Sequence, residues 1–120
     1  MNKDNAVHYF WNSFGWRAYD ETSIPDDATL PYITHEGATD FFDREVAQTA
    51  SLWCRSSDWT EIIAKREEIE RAITRGGIIV PYDNGAVWIR RGNPWSRRMS
   101  DATDDMIRRI VLNYYVEYIE

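Results

Sequence analysis

The chain is poor in the residues from which metal and thiol centres are built. Its 120 residues hold one cysteine and two histidines, so Cys54 has no internal disulfide partner and no companion for a thiolate metal site. His8 and His35 lie on separate elements, and neither has a second histidine at ligand spacing, as a zinc or non-haem iron cluster would need. Aliphatic runs such as Ile78-Ile79-Val80 fall far short of the roughly 20 residues that span a bilayer. The opening Met1-Asn2-Lys3-Asp4-Asn5 leads into a mixed polar and aromatic stretch, not into the apolar core of a secretion signal. Positive charge is also scarce: 14 Lys and Arg stand against 20 Asp and Glu, a net charge of -6. That balance argues against a protein that grips nucleic acid non-specifically. Internal repeats and low-complexity tracts are missing. The expectation is a soluble protein that folds in a cytoplasm and has no membrane partner.

What the chain has is aromatic and apolar material. Hydrophobic residues make up 43% and aromatics 14%, with six Trp and seven Tyr, which excludes a disordered chain and suits one domain over residues 1–120. Val7, Phe10, Trp11 and Phe14 fall at helical spacing after a cap at Asp4 or Asn5, so the pattern predicts a helix over 5–14 that stops near Gly15. Residues 20–31 hold prolines and acids with little periodicity and read as a long loop. β-favouring residues over 30–37 and 45–55 predict two strands, with Val46, Ala50, Leu52 and Cys54 on one parity.

Asp58 and Glu61 have the spacing of a capping box for a helix over 59–75, with Trp59, Ile62, Ile63, Ile69 and Ile73 as its apolar stripe. Glu61 with Lys65, and Glu67 with Arg71, are spaced as pairs on its solvated side. After Gly76-Gly77, residues 78–81 and 86–91 around Tyr82-Asp83-Asn84-Gly85 predict a hairpin. The alternation over 106–119 predicts the longest strand, with Ile110, Leu112, Tyr114, Val116 and Tyr118 on one side. The sum predicts an α+β domain, two helices packed on one face of a mainly antiparallel four- to five-stranded sheet.

Catalytic patterns are hard to find. Cys54 lies on the apolar parity of a strand, where packing suits it better than nucleophilic chemistry. Ser51, Ser56 and Ser57 lack nucleophile-elbow glycines, and Gly76-Gly77 lacks the Lys-Ser/Thr of a phosphate loop. Asp26-Asp27 and Asp104-Asp105 sit in turns, where aspartate is favoured for conformational reasons. The expectation is a non-enzyme with no cofactor, no metal and no catalytic residues.

Charge alternates along the chain instead. Asp20, Glu21, Asp26 and Asp27 form an acidic stretch, and Arg90, Arg91, Arg97 and Arg98 form a basic one that reads as an arginine loop. Asp101, Asp104 and Asp105, then Arg108 and Arg109, follow. One reading is a solvated surface of mixed charge. The sharper reading sets the acidic loop of one copy against the arginine loop of the next, with Trp95 as an aromatic anchor, giving a head-to-tail contact that closes into a ring. The alternative for Trp95 is a residue tucked onto its own core.

Three stretches carry a family resemblance. The first is Ser23-Ile24-Pro25-Asp26-Asp27 with Pro31-Tyr32-Ile33-Thr34, and the second is Leu52-Trp53-Cys54-Arg55-Ser56-Ser57-Asp58-Trp59-Thr60-Glu61-Ile62. The third runs from Gly76-Gly77 through Trp88-Ile89-Arg90-Arg91-Gly92-Asn93-Pro94 and Asp104-Asp105-Met106-Ile107-Arg108-Arg109 to Leu112-Asn113-Tyr114-Tyr115-Val116-Glu117. In this order and spacing the chain resembles the tail completion or tail terminator proteins of long-tailed bacteriophages. Cys54 stands where an aromatic such as Tyr is expected.

The resemblance implies a structural virion subunit that forms a ring, usually six-fold, at the head-proximal end of the tail tube. There it stops tube polymerisation and joins the tail to the head. The implied partners are further copies of itself, the major tail tube protein and the head-closure or connector protein, with DNA only passing through the lumen. The implied location is the head-tail junction of the virion, after folding in the bacterial host's cytoplasm. Candidate subunit-interface residues are Asp26, Asp27, Arg90, Arg91, Trp95, Arg97 and Arg98. A head-closure or adaptor protein of the connector is the nearest alternative, and a nucleic-acid-binding module a more distant one.

Overall fold

Helix α1 (Lys3–Trp11) begins earlier than the apolar spacing alone indicates, because the Asn2 side chain accepts a hydrogen bond from the Asn5 backbone N–H at 3.0 Å. It buries Ala6, Val7, Phe10 and Trp11, and Gly15, at φ +84°, turns the chain away beyond it. The computed structural model describes residues 1–37, 44–101 and 103–120. Six strands follow α1: β1 (Arg17–Asp20), β2 (Tyr32–His35), β3 (Val46–Arg55), β4 (Ile78–Tyr82), β5 (Gly85–Ser100) and β6 (Ile107–Ile119). Helix α2 (Thr60–Ala72) lies between β3 and β4.

The strands form one sheet in the order β1-β2-β3-β6-β5-β4, with β1 and β2 parallel and every other pair antiparallel. A parallel pair cannot be joined by a tight turn. The long 21–31 connection meets that requirement.

This architecture corrects the expected one. Strands take 46% of the described residues and helices 19%, and the six-stranded sheet curls into a half-barrel; it is not a four- to five-stranded sheet with two helices packed on one face. Helix α1 spans the opening, touching β1 and β2 towards one edge and β4 and β5 at the other, while α2 lies against β3 and β6. Two local features account for the difference. β1, Arg-Ala-Tyr-Asp, is too short to show alternation and is held by Ala18 pairing with Ile33. β5 continues through the segment that reads as an arginine loop, so at 16 residues it exceeds the 13 of β6, the strand expected to be longest.

The core lies inside the curl. β3 contributes Ala50, Leu52 and Cys54, β6 contributes Ile110, Leu112, Tyr114, Val116 and Tyr118, and α2 contributes Ile62 and Ile69. Trp11 meets Tyr114 edge-on with ring centroids 5.1 Å apart. Each large apolar side chain buried here contributes about 1.5–3 kcal/mol.

Helix α2 is shorter than the 59–75 span, and its capping box does not form. Asp58 accepts from the Thr60 N–H at 3.0 Å, and the N-cap position falls on Trp59, with no side-chain cap. Lys65 pairs with Glu68 at 3.0 Å and donates to the Phe14 carbonyl at 2.6 Å, tying α2 to the chain just after α1. At the β4–β5 hairpin Tyr82 pairs with Gly85, and it is Asn84 that takes the positive φ, 71°.

Candidate interaction surface

A bulge in β5 decides where the arginines point. Arg91 pairs with Tyr114 and Ser96 with Leu112, so four residues of β5 oppose the single Asn113 of β6. The odd excess reverses which side chains face inward. Gly92 approaches Asn113 so closely that a Cβ would stand 2.7 Å from its carbonyl oxygen. The Asn113 side chain in turn donates to the Pro94 carbonyl at 2.9 Å.

The four arginines of the 90–98 segment therefore do not act as one loop. Arg91 and Arg98 share the inner face with their partners Tyr114 and Ile110, and Arg90 and Arg97 share the outer face with Tyr115 and Val111. Arg90 is engaged within the chain: it stacks on Trp88 at 3.9 Å and pairs with Glu45 and with Glu117. Arg98, exposed, lies over the Trp59 ring at 5.1 Å. Arg91 is half-buried and Arg97 exposed. Trp95 is half-buried against the core, the placement of its alternative reading.

The acidic stretch is built from two turns. Asp20 accepts from the backbone N–H and the hydroxyl of Thr22, which hold its carboxyl below the ordinary range. The Ala28 N–H then donates to the Pro25 carbonyl at 3.1 Å, so Asp26 and Asp27 occupy the two central positions of a β-turn. Both are exposed, and among the described residues neither makes an ion pair. A hollow of about 330 Å³ lies between this turn and β1, lined by Arg17 and Tyr19 on one side and by Pro25 and Asp27 on the other, among others.

Register reveals a surface that spacing along the chain conceals. Arg17 pairs with Tyr32, Tyr32 with Trp53, Trp53 with Arg109 and Arg109 with Met99, one row across five strands. The next row on the same face is Tyr19, Thr34, Ser51, Val111 and Arg97. Tyr19 meets Tyr32 edge-on at 5.7 Å, Tyr32 lies 6.5 Å from Trp53, and Arg109 stacks on Trp53 at 4.5 Å. The Trp53 indole N–H donates to the Thr34 hydroxyl at 3.0 Å, and Arg109 donates twice to Ser51. The band holds three arginines, three aromatics and no carboxylate. Its apolar members stand outside the core cluster. Tyr32, Trp53 and Arg109 could be found from sequence only by knowing the register.

The histidines are closer in space than in sequence. His35 Nδ1 lies 2.9 Å from the Glu36 carbonyl, which only accepts, so Nδ1 carries the proton and Nε2 accepts from His8 Nδ1 at 3.0 Å. Burial, aided by His8 and opposed by the Glu36 hydrogen bond and Asp20, pushes His35 below its ordinary 6.5. The pair joins α1 to β2. Among the described residues no group of three or more His, Cys, Asp or Glu is placed to hold a metal ion, and no helix is long and apolar enough to cross a membrane. Burial raises the Cys54 thiol above its usual range, with the charge of Glu61 adding to the effect. No family model, curated protein or solved structure matches the chain, so a functional reading rests on its own residues and geometry.

Proposed function

We propose that the chain is a structural, non-catalytic virion subunit of a long-tailed bacteriophage, a tail terminator that assembles with copies of itself into a ring at the head-proximal end of the tail tube. Its binding partners in this reading are the tube protein below and the head-closure protein above, and DNA passes through the ring without being gripped. The ordered motifs from Ser23 to Glu117 support the family. The observation that carries self-assembly is the exposed Pro25–Ala28 turn, which presents Asp26 and Asp27 without ion-pair partners among the described residues.

The curled sheet is a different scaffold from the one the resemblance implies. The proposal therefore stands on the motifs and the surface, not on fold likeness. The test is to mix purified chain with tube protein and to image phage lacking it. Rings that cap the tube, and mutant tails of uncontrolled length, are expected. Filled heads that leak DNA would move the chain to head closure. A strict monomer without effect on tube length would overturn the reading.

A further inference from the structure

The outer band of the half-barrel sets arginines beside aromatics on an acidic chain. It carries Arg17, Arg109 and Arg97 in two adjacent cross-strand rows with no carboxylate among them, on a chain whose net charge is -6. Arg17 and Arg97 are exposed, and among the described residues neither makes an ion pair. Trp53 and Tyr32 supply a rigid, partly exposed aromatic centre, the kind of anchor that dominates interfaces.

We propose that this band receives the acidic 21–27 segment of a second copy of the chain. The inference rests on the reading that the chain assembles with itself, and it names the two surfaces that meet. The segment is complementary in charge and carries apolar side chains of its own: Glu21, Asp26 and Asp27 flank in sequence Ile24, an exposed aliphatic side chain, and Pro25. Arginine forks hold the carboxylates while Ile24 and Pro25 cover the aromatic centre.

A chain cannot make the whole of this contact with itself, although its own Asp27 borders the same hollow as Arg17 and Tyr19. Its own acidic segment leaves from β1 at one edge, whereas Arg97 lies on β5, four strand spacings or about 19 Å away. The contact is therefore between copies and joins two different surfaces, the arrangement that generates rings when the rotation closes. A nucleic acid strand is the competing occupant, since arginines and aromatics on a sheet also hold single strands. The net charge of -6 opposes its approach.

The experiment uses two full-length variants, D26R/D27R and R97D, each checked by circular dichroism and urea unfolding. Alone, each should self-associate at least about tenfold more weakly than the parent in sedimentation velocity. Mixed in equal amounts they should recover, because the reversed turn of one meets the reversed band of the other. Hydrogen exchange on the parent, concentrated against dilute, reads the same surface with no substitution, and protection should centre on β3 and β6 around Trp53 and Arg109. Parent-like assembly by both variants, with protection elsewhere, overturns the docking surface while leaving the ring intact. A parent that stays monomeric with tube protein present overturns the ring reading. Salt-sensitive binding of a single-stranded oligonucleotide, lost in R97D, would hand the band to nucleic acid and overturn the proposal.

Discussion

Two rows of the sheet lie one residue apart and differ in almost everything. The inner row, Ala18, Ile33, Leu52, Ile110 and Arg98, runs buried through its first four members and ends on an arginine stacked over Trp59. The outer row, Arg17, Tyr32, Trp53, Arg109 and Met99, is partly exposed, with arginines set beside aromatics. Alternation in a strand assigns neighbours to opposite faces. Here it divides labour: the inner row holds the fold, and the outer row is the one proposed to bind.

The largest effect should come from the inner row. Leu52→Ala is expected to lower folding stability by about 2–5 kcal/mol in urea unfolding, because Leu52 is fully buried and its cavity cannot collapse completely. Its neighbour Trp53→Ala should cost about 1–2 kcal/mol, the worth of its ring contacts and one hydrogen bond, yet weaken self-association more than Leu52→Ala does among molecules still folded. Equal losses of stability at both positions would break the division between the rows.

The His8–His35 pair sharpens the comparison from the side of α1. Because burial holds His35 below its ordinary 6.5, the unfolded chain binds more protons than the fold in mild acid. Stability should be full above about pH 6.5 and fall as pH drops below it, until the folded-state pKa is passed. His35→Gln should flatten this part of a urea-midpoint profile against pH. The smallest stability effect is expected at the acidic turn, where D26R/D27R should change unfolding by less than about 0.5 kcal/mol while still impairing assembly.

The inward faces of β3 and β6 were legible in the sequence and the outer band was not, for a physical reason. Inward residues announce themselves through period: Ala50, Leu52 and Cys54, and Ile110 through Tyr118, alternate as a half-buried strand must. The band depends on register between strands distant in sequence, such as Tyr32 with Trp53 and Trp53 with Arg109. Nothing local encodes that. Gly92-Asn93-Pro94 carries the signature of a loop, and in the fold it is a bulge that lets β5 resume with Arg97 outward. The acidic turn was visible as a loop, and its two central aspartates lie where turn chemistry favours them.

Native mass spectrometry of the purified parent chain across a salt series tests most directly whether copies bind each other through charged surfaces. A closed oligomer at low salt that dissociates as screening shortens the reach of the arginine band is the expected result. A monomer at every concentration and salt, or an oligomer indifferent to salt, would contradict it.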